Sequence, residues 1–124
     1  MKKSVLALSL AMAFVLYVPA YAHFQMIYSP DSVPKSKELN LKLVFTHPFE
    51  AGHTMDMGKD ERGEIHPPIA FGEMNKGKKR NLLDTLKPII FKSLTNEGKA
   101  YEADISLKGI GDHIFYFVPA PYYE

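Results

Sequence analysis

Five histidines are the chain's main metal-binding chemistry, and three fall where chemistry is easiest to build. The stretch "PAYAHFQM" places His23 directly after a small-residue cleavage pattern, "AYA". If the chain is cut after Ala22, His23 becomes the first residue. A terminal histidine offers both its α-amino nitrogen and its imidazole Nδ1 to one ion, and chelation by one residue costs less ordering than recruiting two. Its imidazole suits nickel, copper, zinc and iron. His47 follows the clearest strand pattern of the chain, and Pro48 restricts its backbone to extended conformations. Six residues on, "GHTMDM" presents His53, Met55, Asp56 and Met57, and His66 closes the segment.

Together His23, His47 and His53 make a candidate transition-metal site, with Met55 and Met57 as soft ligands that would favour copper(I). The spacing fits no standard zinc signature, and "HTMDM" is not the two-histidine helical pattern of metalloproteases. A carboxylate alternative, built from Glu50, Asp56, Asp60 and Glu61, would take a hard ion such as calcium. His113 reads as a strand-edge residue, and Lys78, Lys79 and Arg80 as a solvated turn. No serine stands in a nucleophile-elbow context and no glycine loop is built to cradle phosphate, so the chain reads as a binding protein, not an enzyme.

The elements that must hold these residues begin after residue 22. "MKK", the apolar run "SVLALSLAMAFVLYV" and "AYA" form a secretory leader, assigning 1–22 to a cleaved signal peptide and 23–124 to one exported domain. The apolar run is too short for a comfortable span, so no membrane insertion is expected after cleavage, and a periplasmic location follows. With no cysteine there is neither a disulfide framework nor a thiolate site. Loss of Lys2 and Lys3 leaves 13 basic against 14 acidic residues, a formal charge of −1. Nucleic acid and anionic membranes are therefore poor partners.

Alternating apolar and polar residues recur through the domain, while no segment holds a helical period. "ELNLKLVFT" puts Leu39, Leu41, Leu43 and Phe45 on one face. "HFQMIYS", "KPIIFKSL", "KAYEADISL" and "DHIFYFVPA" read as further strands, the last three separated by hairpin-like "TNEG" and "KGIGD". "PPIAFGEM" is a short strand or an extended crossing, and "NKGKKRNLLDTL" a basic loop running into at most one helical turn. Residues 46–66 read as one long irregular loop, the kind that carries function. The expected fold is all-β, an immunoglobulin-like or related Greek-key β-sandwich, which the abrupt "APYYE" end would leave incomplete.

The segments "AHFQMIYSPDSVP", "LVFTHPFEAGHTMDM", "TLKPIIFKSL" and "KAYEADISLKGIGDHIFYFVPAPYYE" resemble a family of domains of unknown function described as periplasmic components of cobalt/nickel ABC-type transport, associated with energy-coupling-factor importers. The resemblance implies an exported β-sandwich that binds Ni2+ or Co2+ and assists a membrane metal importer. It places the ligands at His23, His47 and His53. A periplasmic copper chaperone, an oxygen-activating copper enzyme and a sandwich interaction module without metal are the competing readings. Members of the family continue past the "PAPY" segment, which agrees with a shortened chain here.

Overall fold

The computed structural model describes residues 2–16, 24–29, 37–49 and 52–122. The apolar run near the start of the chain lies largely in a helix, α1 (Lys2–Leu16). Its Val5, Leu6, Leu8 and Leu10 are 56–65 % exposed, and none of them enters the buried core. No described helix is long and apolar enough to cross a membrane.

The rest is all-β. In chain order the strands are β1 (Phe24–Tyr28), β2 (Glu38–His47), β3 (His53–Met55), β4 (Ala70–Asn75), β5 (Lys78–Asn81), β6 (Leu86–Lys92), β7 (Glu97–Ser106) and β8 (Ile114–Val118). A single 3-10 turn, Leu83–Thr85, follows β5, the one helical turn allowed by the sequence. One sheet runs β1-β2-β7-β6 with β3 added to β2, and the other runs β5-β4-β8. Every pairing is antiparallel.

The two sheets face one another across a sandwich-like core. Leu41 and Leu43 of β2 and Ala103 and Ile105 of β7 meet Phe71 of β4, with Met57 and Leu82 filling the same cluster. The alternation read in β2 is correct for this face, since Leu41 and Leu43 are 2 % and 0 % exposed. Burying a leucine so completely contributes about 2–3 kcal/mol. The other face of β2 is closed as well: Val44 and Thr46 are 0 % and 2 % exposed. That end of the strand lies between β1 and β3, so it is an interior strand.

Three expectations are corrected. Residues 46–66 are not one irregular loop, because β3 lies inside them and Lys59 bridges to Ile65 further on. A three-residue strand is too short to show a period. The "KGIGD" link is not a hairpin: β7 pairs with β2 and β6, while β8 crosses to the other sheet and pairs with β4. The third correction concerns the basic segment, which is strand β5. Lys76 and Gly77, at φ 51° and 76°, form the two-residue turn into it. Positive φ at both central residues is the turn geometry that matches strand twist.

Register from that turn sets Glu73 opposite Arg80. Glu73 shares the inward side of β4 with Phe71 and is only 3 % exposed. The Arg80 guanidinium donates to one of its carboxylate oxygens and the His113 ring lies on the other. Arg80 also donates to the Ser106 carbonyl at 3.0 Å, tying the second sheet to the end of β7. So Arg80 is no solvated turn residue, and His113, with a side chain 13 % exposed, is a partner of a buried acid. Burial pushes the Glu73 carboxyl up, but hydrogen bonds from His113 and Arg80 outweigh it and hold the group below its ordinary 4.5.

A depressed folded-state pKa stabilises the fold above the unfolded value and loses that contribution as pH falls through the folded one. Glu73→Gln should therefore cost about 2–3 kcal/mol near neutral pH, discounted from a fully buried pair because Arg80 is partly exposed. Urea unfolding should show the gap between wild type and variant narrowing as pH drops below about 4.5. Equal midpoints at neutral pH would show that the cluster does not hold the second sheet.

Candidate metal site

The end of β2 is where two of the expected ligands, His47 and His53, meet. Thr46 pairs with Phe24 of β1 along one edge and with Thr54 of β3 along the other. His47, the next residue, pairs with His53. Directly opposed residues of neighbouring strands project from the same side of a sheet. The two imidazoles accordingly lie with ring centres 6.2 Å apart and planes inclined by 41°. His53 is exposed and His47 is half-buried. The third expected ligand, His23, lies outside the described residues.

A ring bound through nitrogen to an ion at about 2.1 Å has its centre roughly 3.2 Å from that ion. Two rings sharing one ion would have centres about 6.4 Å apart when bound on opposite sides of it and about 5.2 Å apart in a tetrahedral shell, so the observed 6.2 Å suits a nearly opposed pair or must close by about 1 Å.

So short a strand needs anchors beyond its three ladder pairs. Asn96 supplies a side-chain substitute for a neighbouring strand. Its Nδ2 donates to the Thr54 carbonyl at 2.7 Å, and its Oδ1 accepts from the Thr54 N–H at 2.8 Å. The Thr46 hydroxyl donates to the His53 carbonyl at 3.0 Å. Just after β3, Asp56 accepts from the Lys99 N–H at 2.8 Å and Met57 N–H donates to the Lys99 carbonyl at 3.2 Å. Gly98 allows this closeness, because a Cβ there would lie 2.8 Å from Thr54 Cγ2. Met55 and Met57 are 8 % and 2 % exposed. Their burial, with Met57 in the core cluster, was not legible in "HTMDM".

A second group of ligand-type side chains occupies the tip that follows. Asp60, Glu64 and His66 each place a donor atom within 4.8 Å of the others. Asp60 Oδ1 accepts from the N–H groups of Arg62 and Glu64, both at 2.9 Å, and Oδ2 lies 2.7 Å from His66 Nε2. The His66 bond and then the Glu64 amide, with a lesser contribution from the Arg62 amide, hold the Asp60 carboxyl below its ordinary range against the opposing effect of burial. Of the expected carboxylate set only Asp60 belongs to this group; Asp56 is engaged at β7 and Glu50 lies outside the described residues. An apolar cavity of about 500 Å³ opens between the sheets, lined by Gln25, Phe45, Ile69, Val118 and Tyr122 among others. Gln25 gives its Nε2 to the Val44 carbonyl, leaving a buried Oε1 unpartnered among the described residues.

Removing the Asn96 amide should free β3 while leaving the sheet it lies on. In Asn96→Ala, the loss of both hydrogen bonds with Thr54, and of the one from the Ser93 hydroxyl, is expected to cost about 1–3 kcal/mol. Amide exchange at Thr54 and Met55 should accelerate, with Ala103 and Ile105 in β7 as protected as before. Unchanged exchange at Thr54 would show that the β2 ladder alone holds the strand.

No curated protein and no solved structure matches the chain. A family profile does, over residues 20–124, covering all the described strands. The chain belongs to the family described as a domain of unknown function, DUF4198.

Proposed function

We propose that this protein is exported and binds a divalent transition metal, nickel or cobalt, for delivery to a membrane importer. The pairing of His47 with His53 at one end of β2 carries the reading. His23 would complete the site as the mature first residue. Its place rests on covalent connection: Phe24 pairs with Thr46, one residue from His47, and residue 23 is the next link beyond Phe24. The edge of β2 that receives β1 is opposite to the edge that receives β3, so a ligand carried by the residue before β1 would approach His47 from the side away from His53.

The donor set is nitrogen-rich. Copper(I) would draw on Met55 and Met57, and their burial leaves both thioethers inside the protein unless β3 detaches. That argues for ions content with imidazole and amine. Affinity alone does not identify the cargo, because copper(II) binds almost any nitrogen site more tightly than nickel or cobalt. The choice of nickel or cobalt, and of an energy-coupling-factor importer, rests on the family resemblance.

His47→Ala and His53→Ala should each weaken nickel binding to the mature protein at least tenfold, about 1.4 kcal/mol, in calorimetric titration. An extra alanine before His23 should do the same by displacing the chelating amine. Binding should also release protons and weaken as the solution is acidified, since amine and imidazole bind only when unprotonated. Wild-type affinity in both histidine variants would remove the basis for the proposal.

A further inference from the structure

We propose that Asp60, Glu64 and His66 form a second cation site, separate from His47 and His53, that takes a borderline divalent ion such as Zn2+ with water completing its shell. Two carboxylates and an imidazole are a donor set such ions accept, whereas an imidazole ligand disfavours calcium and magnesium. The side-chain geometry is already close to what an ion needs. Neighbouring ligands of a tetrahedral Zn2+ with bonds of about 2.0–2.1 Å stand roughly 3.3 Å apart. Asp60 Oδ2 and His66 Nε2 are 2.7 Å apart, so a small opening admits the ion between them. The donor atoms of all three residues lie within 4.8 Å of one another.

The local charge suits a cation. Two carboxylates meet at this tip, and one imidazole cannot cancel both even when protonated. The basic neighbours do not make up the difference. Lys59 Nζ is directed over the Tyr122 ring, 5.5 Å from its centre, and Arg62 forms no ion pair among the described residues. Glu64 likewise has no side-chain hydrogen bond or ion pair among them, although its backbone is engaged on both sides through Asp60. Glu64 is exposed, so its carboxylate is free to turn toward an ion held by Asp60 and His66.

The site is also held in shape without the ion. Asp60 Oδ1 is occupied by two backbone N–H groups, leaving Oδ2 to face His66. The Lys59–Ile65 bridge and the bond from His66 N–H to the Gly58 carbonyl, 3.0 Å, close the base of the tip. A hollow of about 380 Å³ lined by Asp60, Glu61, Arg62, Glu64 and His66 leaves room for ion and water. The side chains of Asp60 and His66 are 22 % and 49 % exposed, which lets an ion enter from solvent.

The test uses Zn2+ and the mature chain carrying an extra alanine before His23 together with His23→Ala, His47→Ala and His53→Ala, so that the first site cannot report. Calorimetry should still find one Zn2+ bound per chain. Adding His66→Ala, Asp60→Asn or Glu64→Gln should weaken that binding at least tenfold. Asn at position 60 keeps an oxygen for the Arg62 and Glu64 amides, and His66 is half-exposed, so thermal unfolding near the parent value should accompany the loss. Nitrogen NMR should show the His66 ring resonances moving on Zn2+ addition. No Zn2+ binding in the parent, or binding indifferent to His66→Ala, would overturn the proposal and leave Asp60 and His66 as an ion pair alone.

Discussion

The pairing of β2 along both edges is the constraint on which the candidate site depends. At Thr46 the strand is held by Phe24 on one side and Thr54 on the other, and its side chain is buried. Backbone hydrogen bonding thus fixes the position of His47 from two directions. Neither β1 nor β3 has much core of its own: β1 is largely exposed or half-buried, and β3 is three residues long. Both are ordered by a strand whose inward face, Leu41 and Leu43, is locked into the core. Stability therefore flows outward from core to β2, and from β2 to the histidines at its end. Asn96, just before β7, matters because it supplies β3 with hydrogen bonds on the side where β7 lies close but forms no ladder with it.

The second sheet is held by different physics. Three strands contribute Phe71 to the central cluster, with Phe115 and Phe117 packed against it, but also a buried carboxylate. Glu73 is tolerable there because both of its oxygens are occupied, by Arg80 from the adjacent strand and by His113 from just before β8. Such a cluster is expensive to desolvate and more expensive to break, so it fixes which strand lies where more than it adds net stability. Arg80 extends it to the Ser106 carbonyl, a polar tie between sheets otherwise joined by apolar packing.

Much of this was legible in the chain. The alternation of "ELNLKLVFT" marked β2 and its core face, because ten residues suffice to show a two-residue period. The all-β class followed from similar patterns in β6, β7 and β8. Other features needed the turn before the strand could be read. Once Lys76 and Gly77 are taken as a two-residue turn, counting outward pairs Asn75 with Lys78, Met74 with Lys79 and Glu73 with Arg80, which converts a basic loop into a strand and an ion pair. What no local pattern carried was long-range: the return of His113 to Glu73, the reach of Asn96 to Thr54 and the folding of Met57 into the core. For the site, the sequence marked His47 and His53 as a pair by type, and the structure sets them side by side. Glu64 was not singled out, because one acid among many charges says nothing until its neighbours are placed.

The central claim, that nitrogen ligands around His47 and His53 hold the metal, is tested most directly by X-ray absorption at the nickel edge on the mature, nickel-loaded protein. The account predicts scattering from at least two imidazoles and no sulfur in the first shell. A shell containing sulfur would mean that β3 opens to release its methionines, and a shell of oxygen alone would move the metal away from β2 altogether.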